Sequence, residues 1–237
     1  MIPPIVVFTS DKYLHALRGF MYMFDRHWYE QPEVIVAGFS APDFPVAGHY
    51  TWHSIGKFED YPVNKWSDAV LDFLDQRPEI ERFVLMLEDY WIVRRVNHYA
   101  IDILTDYMAE HPEVIKMDLC ADRLYALGAR DYAVLDWFDL IISDPDSQYL
   151  MSLMTGIWNV SALRRVLIRG ESPWQVELEG TPRLAALRGE LKVMGTRQWP
   201  LRHTLALRDG NPAVYKEDGI PPATLMDLKM RGFLDRP

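Results

Sequence analysis

What this chain lacks narrows its function before any motif is read. It has a single cysteine, Cys120, which excludes an internal disulfide and a cysteine-rich zinc site. No apolar stretch approaches the ~20 residues of a membrane-spanning helix. The start, Met1-Ile2-Pro3-Pro4, has neither the basic segment nor the long apolar core of a secretory signal. A cytoplasmic protein is expected. Positive charge is scarce: 25 Lys and Arg stand against 34 Asp and Glu, a formal net charge of -9, which disfavours a broad phosphate-binding surface. Arginine is concentrated at Arg94 and Arg95, at Arg164, Arg165 and Arg169, and from Arg183 to Arg208, and solvated helix surface accounts for most of it. Glycine signatures are missing too. There is no Walker loop, no spaced glycine fingerprint after the first strand, no Gly-x-Ser-x-Gly elbow and no His-Glu-x-x-His helix, so P-loop hydrolysis, dinucleotide redox chemistry and the common hydrolases lose their support.

What is present is an ordinary globular composition, 237 residues with 49% hydrophobic and 25% charged, enough for one large α/β domain. Ile5-Val6-Val7-Phe8 reads as a strand ending at the capping cluster Thr9-Ser10-Asp11. From Tyr13 to Trp28 apolar residues recur at spacings of three and four, the stripe of an amphipathic helix. Val34 to Phe39 is a second strand, followed by a loop with Pro42, Pro45 and Gly48. A helix opens at Trp66-Ser67-Asp68 and closes before Pro78, a strand fills Phe83 to Leu87, a helix spans Val96 to Met108, and a strand covers Val114 to Leu119. Alternation at this spacing predicts a mainly parallel sheet.

The second half is more mixed. Leu140 to Ser143 and Tyr149 to Ile157 are expected to add strands, one of them antiparallel. Leu163 to Ile168 reads as a short helix, and Glu171-Ser172-Pro173-Trp174 opens another with proline in its first turn. Leu191 to Gly195 and Thr204 to Leu207 read as strands, and Met226 to Phe233 as a terminal helix.

The stretch that points to chemistry is Phe83-Val84-Leu85-Met86-Leu87-Glu88-Asp89-Tyr90-Trp91. Five apolar residues in a row suit a strand buried on both faces, and open α/β sheets bind ligands beyond the carboxyl ends of such strands. Two adjacent acids there are placed for a metal-bound phosphate. A helix cap explains an Asp in that position equally well.

Three segments taken together carry a resemblance. They are Thr9-Ser10-Asp11-Lys12-Tyr13 after the first strand, the central Met86-Leu87-Glu88-Asp89-Tyr90-Trp91, and Gly156-Ile157-Trp158-Asn159 leading to Glu171-Ser172-Pro173-Trp174-Gln175-Val176-Glu177. In order and character the chain resembles glycosyltransferase-like proteins of the GT-A type, including members in surface-polysaccharide clusters and bacteriophages. The likeness runs to about Arg183. It implies a single GT-A-like domain over 1–237, with a Rossmann-like, mainly parallel sheet flanked by helices. Residues 1–120 would bind the nucleotide-sugar, and the mixed portion 121–237 the acceptor.

The resemblance also assigns roles. Asp89 would position a divalent cation, Mn²⁺ or Mg²⁺, on the donor diphosphate, with Glu88 on the ribose or supporting the metal, since extended backbone points neighbouring side chains apart. The usual motif separates its two acids by one residue, whereas here they are adjacent. Thr9, Ser10 and Asp11 would meet the base and ribose. Glu177 is the candidate general base. Arg183 or Lys192 would neutralise the diphosphate; Trp158, Trp174 and Glu171 would contact the acceptor; His203 would complete a metal shell. The acceptor would be a surface glycan or a hydroxymethylated pyrimidine in phage DNA, the cell a bacterium or a phage-infected host. Two other readings stay open: a non-catalytic nucleotide-binding α/β module, and a metal-dependent phosphoryl-transfer enzyme, which also needs acids at strand ends.

Overall fold

The structure is a computed structural model that describes residues 2–122, 128–208, 211–213 and 220–234. Its first half runs β1 (Ile5–Phe8), α1 (Leu14–His27), β2 (Val34–Gly38), β3 (Tyr50–Ser54), α2 (Trp66–Gln76), β4 (Arg82–Leu87), β5 (Tyr90–Ile92), α3 (His98–Glu110) and β6 (Val114–Asp118). The second half adds β7 (Arg130–Leu135), β8 (Phe138–Ile142), β9 (Gly156–Asn159), α4 (Val160–Leu163), α5 (Pro173–Ala186), β10 (Lys192–Thr196), β11 (His203–Leu205), β12 (Leu207–Arg208), β13 (Asn211–Pro212) and α6 (Pro222–Met230).

Nine strands form one sheet in the order β3-β2-β1-β4-β9-β6-β10-β8-β7. β1 pairs in parallel with β2 and β4, β2 with β3, and β6 with β10. β9 runs antiparallel to β4 and β6, and β8 antiparallel to β10 and β7. The sheet is therefore mostly of one direction, with β8 and β9 reversed. The two sequence halves interleave, because β6 lies between β9 and β10.

Side-chain alternation divides the core into two layers. Ile5 and Val7 of β1 face one side with Leu17, Phe20 and Phe24 of α1 and Ile101, Leu104 and Met108 of α3. Val6 and Phe8 face the other with Val70, Phe73 and Leu74 of α2 and Val176 and Leu184 of α5. Helices thus cover both faces, which is why the central strands read as unbroken apolar runs.

Several boundaries differ from the sequence reading. β3 lies where only a loop was expected: Tyr50, Thr51 and Trp52 are good strand formers, but this edge strand buries only Tyr50, so its polar content masked it. Only Gly156 and Ile157 of the expected 149–157 strand are extended. The short helix begins at Val160, capped by Asn159, whose side chain accepts from the Ala162 amide. The terminal helix starts at Pro222 rather than Met226, with proline in the first turn. β5 was not foreseen. It leaves the sheet directly after Asp89 and pairs instead with β11, Leu205 opposite Tyr90 and His203 opposite Ile92.

That departure is set by Trp91. Its buried indole lies against α1 at Gly19, where an added Cβ would fall 2.1 Å from Trp91 Cζ2, and its Nε1 donates to the Glu88 carbonyl at 3.1 Å. Alanine in a helix is ordinarily favoured over glycine by about 1 kcal/mol. Here Gly19→Ala is expected to destabilise the fold by about 1–3 kcal/mol through overpacking. Denaturant unfolding checks this, and a variant more stable than wild type would show that Trp91 is not seated there.

Candidate functional site

The carboxyl ends of β1, β4 and β6 and the start of β9 line one edge of the sheet, since Phe8 pairs with Leu87 and Gly156 pairs with both Leu85 and Asp118. From β1 the chain first builds outward through β2 and β3, then crosses to β4 on the other side of β1. The crevice between β1 and β4 is the topological switch point where α/β sheets receive ligands.

Glu88 and Asp89 occupy that point. They form a turn between β4 and β5, so the alternation of an extended segment does not apply to them, and the Asp89 charge acts on the Glu88 carboxyl. Burial pushes both above the ordinary carboxylate range. Glu88 rises furthest because the Asp89 charge adds to its burial, whereas burial alone brings Asp89 up to about 6.

The loop after β1 meets this edge. Thr9 is buried, and among the described residues its hydroxyl has no hydrogen-bond partner. Ser10 holds the N-cap position of a short 3-10 turn without making a side-chain cap bond. Asp11 accepts from the Ser40 amide at 3.0 Å and the Ser40 hydroxyl at 2.6 Å, tying the β1 loop to the one after β2.

Glu177 arrives from α5. Its Oε1 accepts from the Leu153 amide at 2.7 Å, and one helical turn on, Thr181 Oγ1 accepts from the Met151 amide at 3.1 Å. Gly180 leaves the space for Met151, so this face of α5 docks the irregular segment that leads into β9. Burial raises the Glu177 carboxyl, while the Leu153 amide and the Lys116 ammonium oppose the rise. Tyr90 links the two acid groups: burial, then the charges of Asp89 and Glu177, drive its phenol up. The β5–β11 pair brings His203 to the same place, its ring stacked on Tyr90 with centroids 4.5 Å apart and its Nδ1 3.4 Å from Thr155 Oγ1. Enclosure of the imidazole lowers its pKa to about 4, so His203 is neutral in ordinary buffers.

The remaining expectations sort clearly. Trp158 is 1% exposed and lies inside the core beneath the Lys116 ammonium, which leaves no ring face for an acceptor. Trp174, at the start of α5, is 64% exposed. Arg183 makes two 2.7 Å bonds to the Glu171 carboxylate and a 3.0 Å bond to the Val166 carbonyl. These bonds fasten α5 to the segment before it. Glu171 also accepts from the Ser67 amide through its carbonyl at 3.0 Å, joining α5 to α2. Lys192 is engaged by Glu113 and Tyr132.

Residues that motif reasoning passed over complete the site. Lys116 and Asp118 form an ion pair with neither side chain exposed, and Asp122 follows β6 and acts electrostatically on Tyr90, Glu177 and His203. The signal was in the sequence: two opposite charges two apart in an apolar strand share one face.

Among the described residues no group of three or more His, Cys, Asp or Glu is arranged to hold a metal. Two adjacent carboxyls whose ionised forms burial disfavours nonetheless suit a hard cation that shares its shell with substrate phosphate and water, as Mg²⁺ does. His203 is stacked on Tyr90, with its Nδ1 near Thr155 Oγ1.

No family model matches the chain, and no curated protein is significantly similar to it. Among solved structures it is similar to CMP:2-keto-3-deoxy-manno-octonic acid synthetase complexed with CTP, at 12% identity over 81% of this chain and 88% of that one, with a TM-score of 0.41. It is also similar to a cytidylyltransferase from Leptospira borgpetersenii serovar Hardjo-bovis (strain JB197), at 9% identity over 100% and 99% of the two chains, with a TM-score of 0.43. Likeness at this level assigns no activity, so function has to be argued from the chain's own residues.

The strained acids have a measurable consequence. A carboxyl whose folded pKa exceeds its unfolded one binds more protons when folded, so stability falls as pH rises from about 4 through 6 and the penalty is complete above that. Asp89→Asn removes the charge that burial opposes. With chelator present the variant is expected to be more stable than wild type by about 1–3 kcal/mol at pH 7.5, the gap closing toward pH 4. Melting curves across pH decide the matter, and a gap that widens on acidification would refute the assignment.

Proposed function

We propose that this protein is a glycosyltransferase that moves a sugar from a nucleotide-sugar to an acceptor hydroxyl. The observation that carries the reading is that the charges of Asp89, at the β1/β4 switch point, and of Glu177, from α5, both act on Tyr90. In this reading the nucleoside lies against Thr9, Ser10 and Asp11, where the unpartnered Thr9 hydroxyl offers a hydrogen bond. The diphosphate lies over Asp89 and Glu88, which would hold Mg²⁺ or Mn²⁺. That cation would supply the charge that stabilises the departing diphosphate.

The protein's own part in the reaction is proton removal and exclusion of water. Glu177, half-buried and raised by burial, accepts the proton of the acceptor hydroxyl as that oxygen bonds to the anomeric carbon. The bond from the anomeric carbon to the diphosphate breaks, and its electron pair leaves with the nucleoside diphosphate. The Leu153 amide holds the Glu177 carboxylate in place. Trp174, exposed beside it on α5, offers an apolar face for the acceptor. A net charge of -9 favours a glycan acceptor over a polyanion such as DNA.

Thermal stability against nucleotide-sugars, with and without Mg²⁺ or Mn²⁺, tests donor binding. A cation-dependent rise with one nucleoside diphosphate family is expected. Glu177→Gln is expected to keep that rise and lose turnover by about 10²–10⁴-fold. A product analysis showing released phosphate or pyrophosphate instead of nucleoside diphosphate would replace glycosyl transfer with another transfer reaction, and wild-type-like turnover of the Gln variant would remove Glu177 from the mechanism.

A further inference from the structure

Lys116 is an unusual residue to find in the middle of the sheet. It is fully buried on β6, paired with Asp118 two residues on, with its ammonium 5.2 Å above the Trp158 ring. Its room is made by Gly156 on the neighbouring strand, where a Cβ would sit 2.8 Å from Lys116 Cε and 2.9 Å from the Met117 carbonyl. Burying a charge is costly unless each of its bonds is made. The third contact of this ammonium is a bond to the Ser152 carbonyl at 2.8 Å.

The Ser152 carbonyl and the Leu153 amide belong to one peptide group. The amide of that group donates to Glu177 Oε1 at 2.7 Å. One ion pair and two hydrogen bonds therefore join Asp118, Lys116, the 152–153 peptide and Glu177 in a single line. An ammonium on the carbonyl oxygen polarises the peptide, and the N–H on its other end becomes a stronger donor. We propose that Lys116 is a positioning residue that fixes and tunes the Glu177 carboxylate through the 152–153 peptide, with Asp118 balancing its charge. The inference rests on the role of Glu177 given above, but the line itself can be detected without any activity.

Lys116→Met alone would leave Asp118 buried without its partner, so the test pairs Lys116→Met with Asp118→Asn and confirms folding by melting curve. The first readout is the Leu153 amide proton in an NMR spectrum of wild type, the double variant and Glu177→Gln. A strong bond to a carboxylate holds this proton downfield, and it is expected to move upfield in both variants. A Leu153 resonance that responds to Glu177→Gln but not to loss of the Lys116 charge would overturn the relay. The second readout is turnover with the donor identified by thermal shift. The double variant is expected to lose about tenfold in kcat with KM for donor within about twofold, and to add no further loss on top of Glu177→Gln. Additive losses would show that Lys116 acts on the fold rather than through Glu177. If the amide responds as expected and wild type turns over no nucleotide-sugar, the relay stands and the glycosyltransferase reading fails.

Discussion

The corner at Glu88–Asp89 depends on where Trp91 goes. A buried strand that simply continued would carry both acids away from the switch point, and one that ended in a helix would use Asp89 as a cap. Here the indole is pulled onto the bare backbone of α1 at Gly19 and bonded back to the Glu88 carbonyl, so the chain turns within two residues. The turn has a second effect. β5 is now free of the large sheet and recruits β11, with the Ala206 amide donating to the Asp89 carbonyl at 2.7 Å. A single large-to-nothing contact between Trp91 and Gly19 thus places the acids and draws the C-terminal tail across them.

Electrostatics at this edge run opposite to those of the rest of the molecule. The surface ion pairs, such as Arg18 with Asp43 or Arg188 with Asp146, join exposed groups and contribute little to stability. The site instead holds Glu88, Asp89, Glu177 and the Lys116–Asp118 pair under cover. Burial there raises the carboxyls and leaves His203 neutral, costs that a merely structural arrangement would avoid with apolar residues. Perturbed groups gathered at a sheet's carboxyl edge support the proposed reading of this edge as a site.

Much of this was legible in the sequence, and the failures have identifiable causes. The βα rhythm of the first half is written in hydrophobic spacing because each strand there is covered on both faces. The acids could be placed at a strand end for the same reason. β3 and β7 are edge strands, β3 with one buried side chain and β7 with none, so apolar spacing carries little trace of them. Trp158 belongs to the interior because β9 is inserted between β4 and β6, a long-range pairing that no local pattern reports. Arg183 and Glu171 lie twelve positions apart in sequence yet form a bidentate pair, and such partners are visible only once α5 has its length and its start at the Ser172 cap. Lys116 and Asp118 were readable as a misfit in an apolar strand and were passed over because neither belongs to a familiar motif.

The charge inventory bears on whether a diphosphate could enter without a metal. The basic side chains expected to meet it are committed elsewhere, Arg183 to Glu171 and Lys192 to Glu113 and Tyr132. Lys116 is inside the protein, held by Asp118 and the Ser152 carbonyl. His203, with its pKa near 4, brings no charge. Lys12, on the loop after β1, stays exposed over the Tyr13 ring, where it can attract an anion but is too well solvated to neutralise one in a covered crevice. An acidic crevice of this kind repels a diphosphate unless positive charge arrives with it. The same acids that make the crevice repellent are oxygen ligands of the type a divalent cation requires. Under the proposed reaction, donor and cation would therefore bind together, each supplying the charge that makes room for the other.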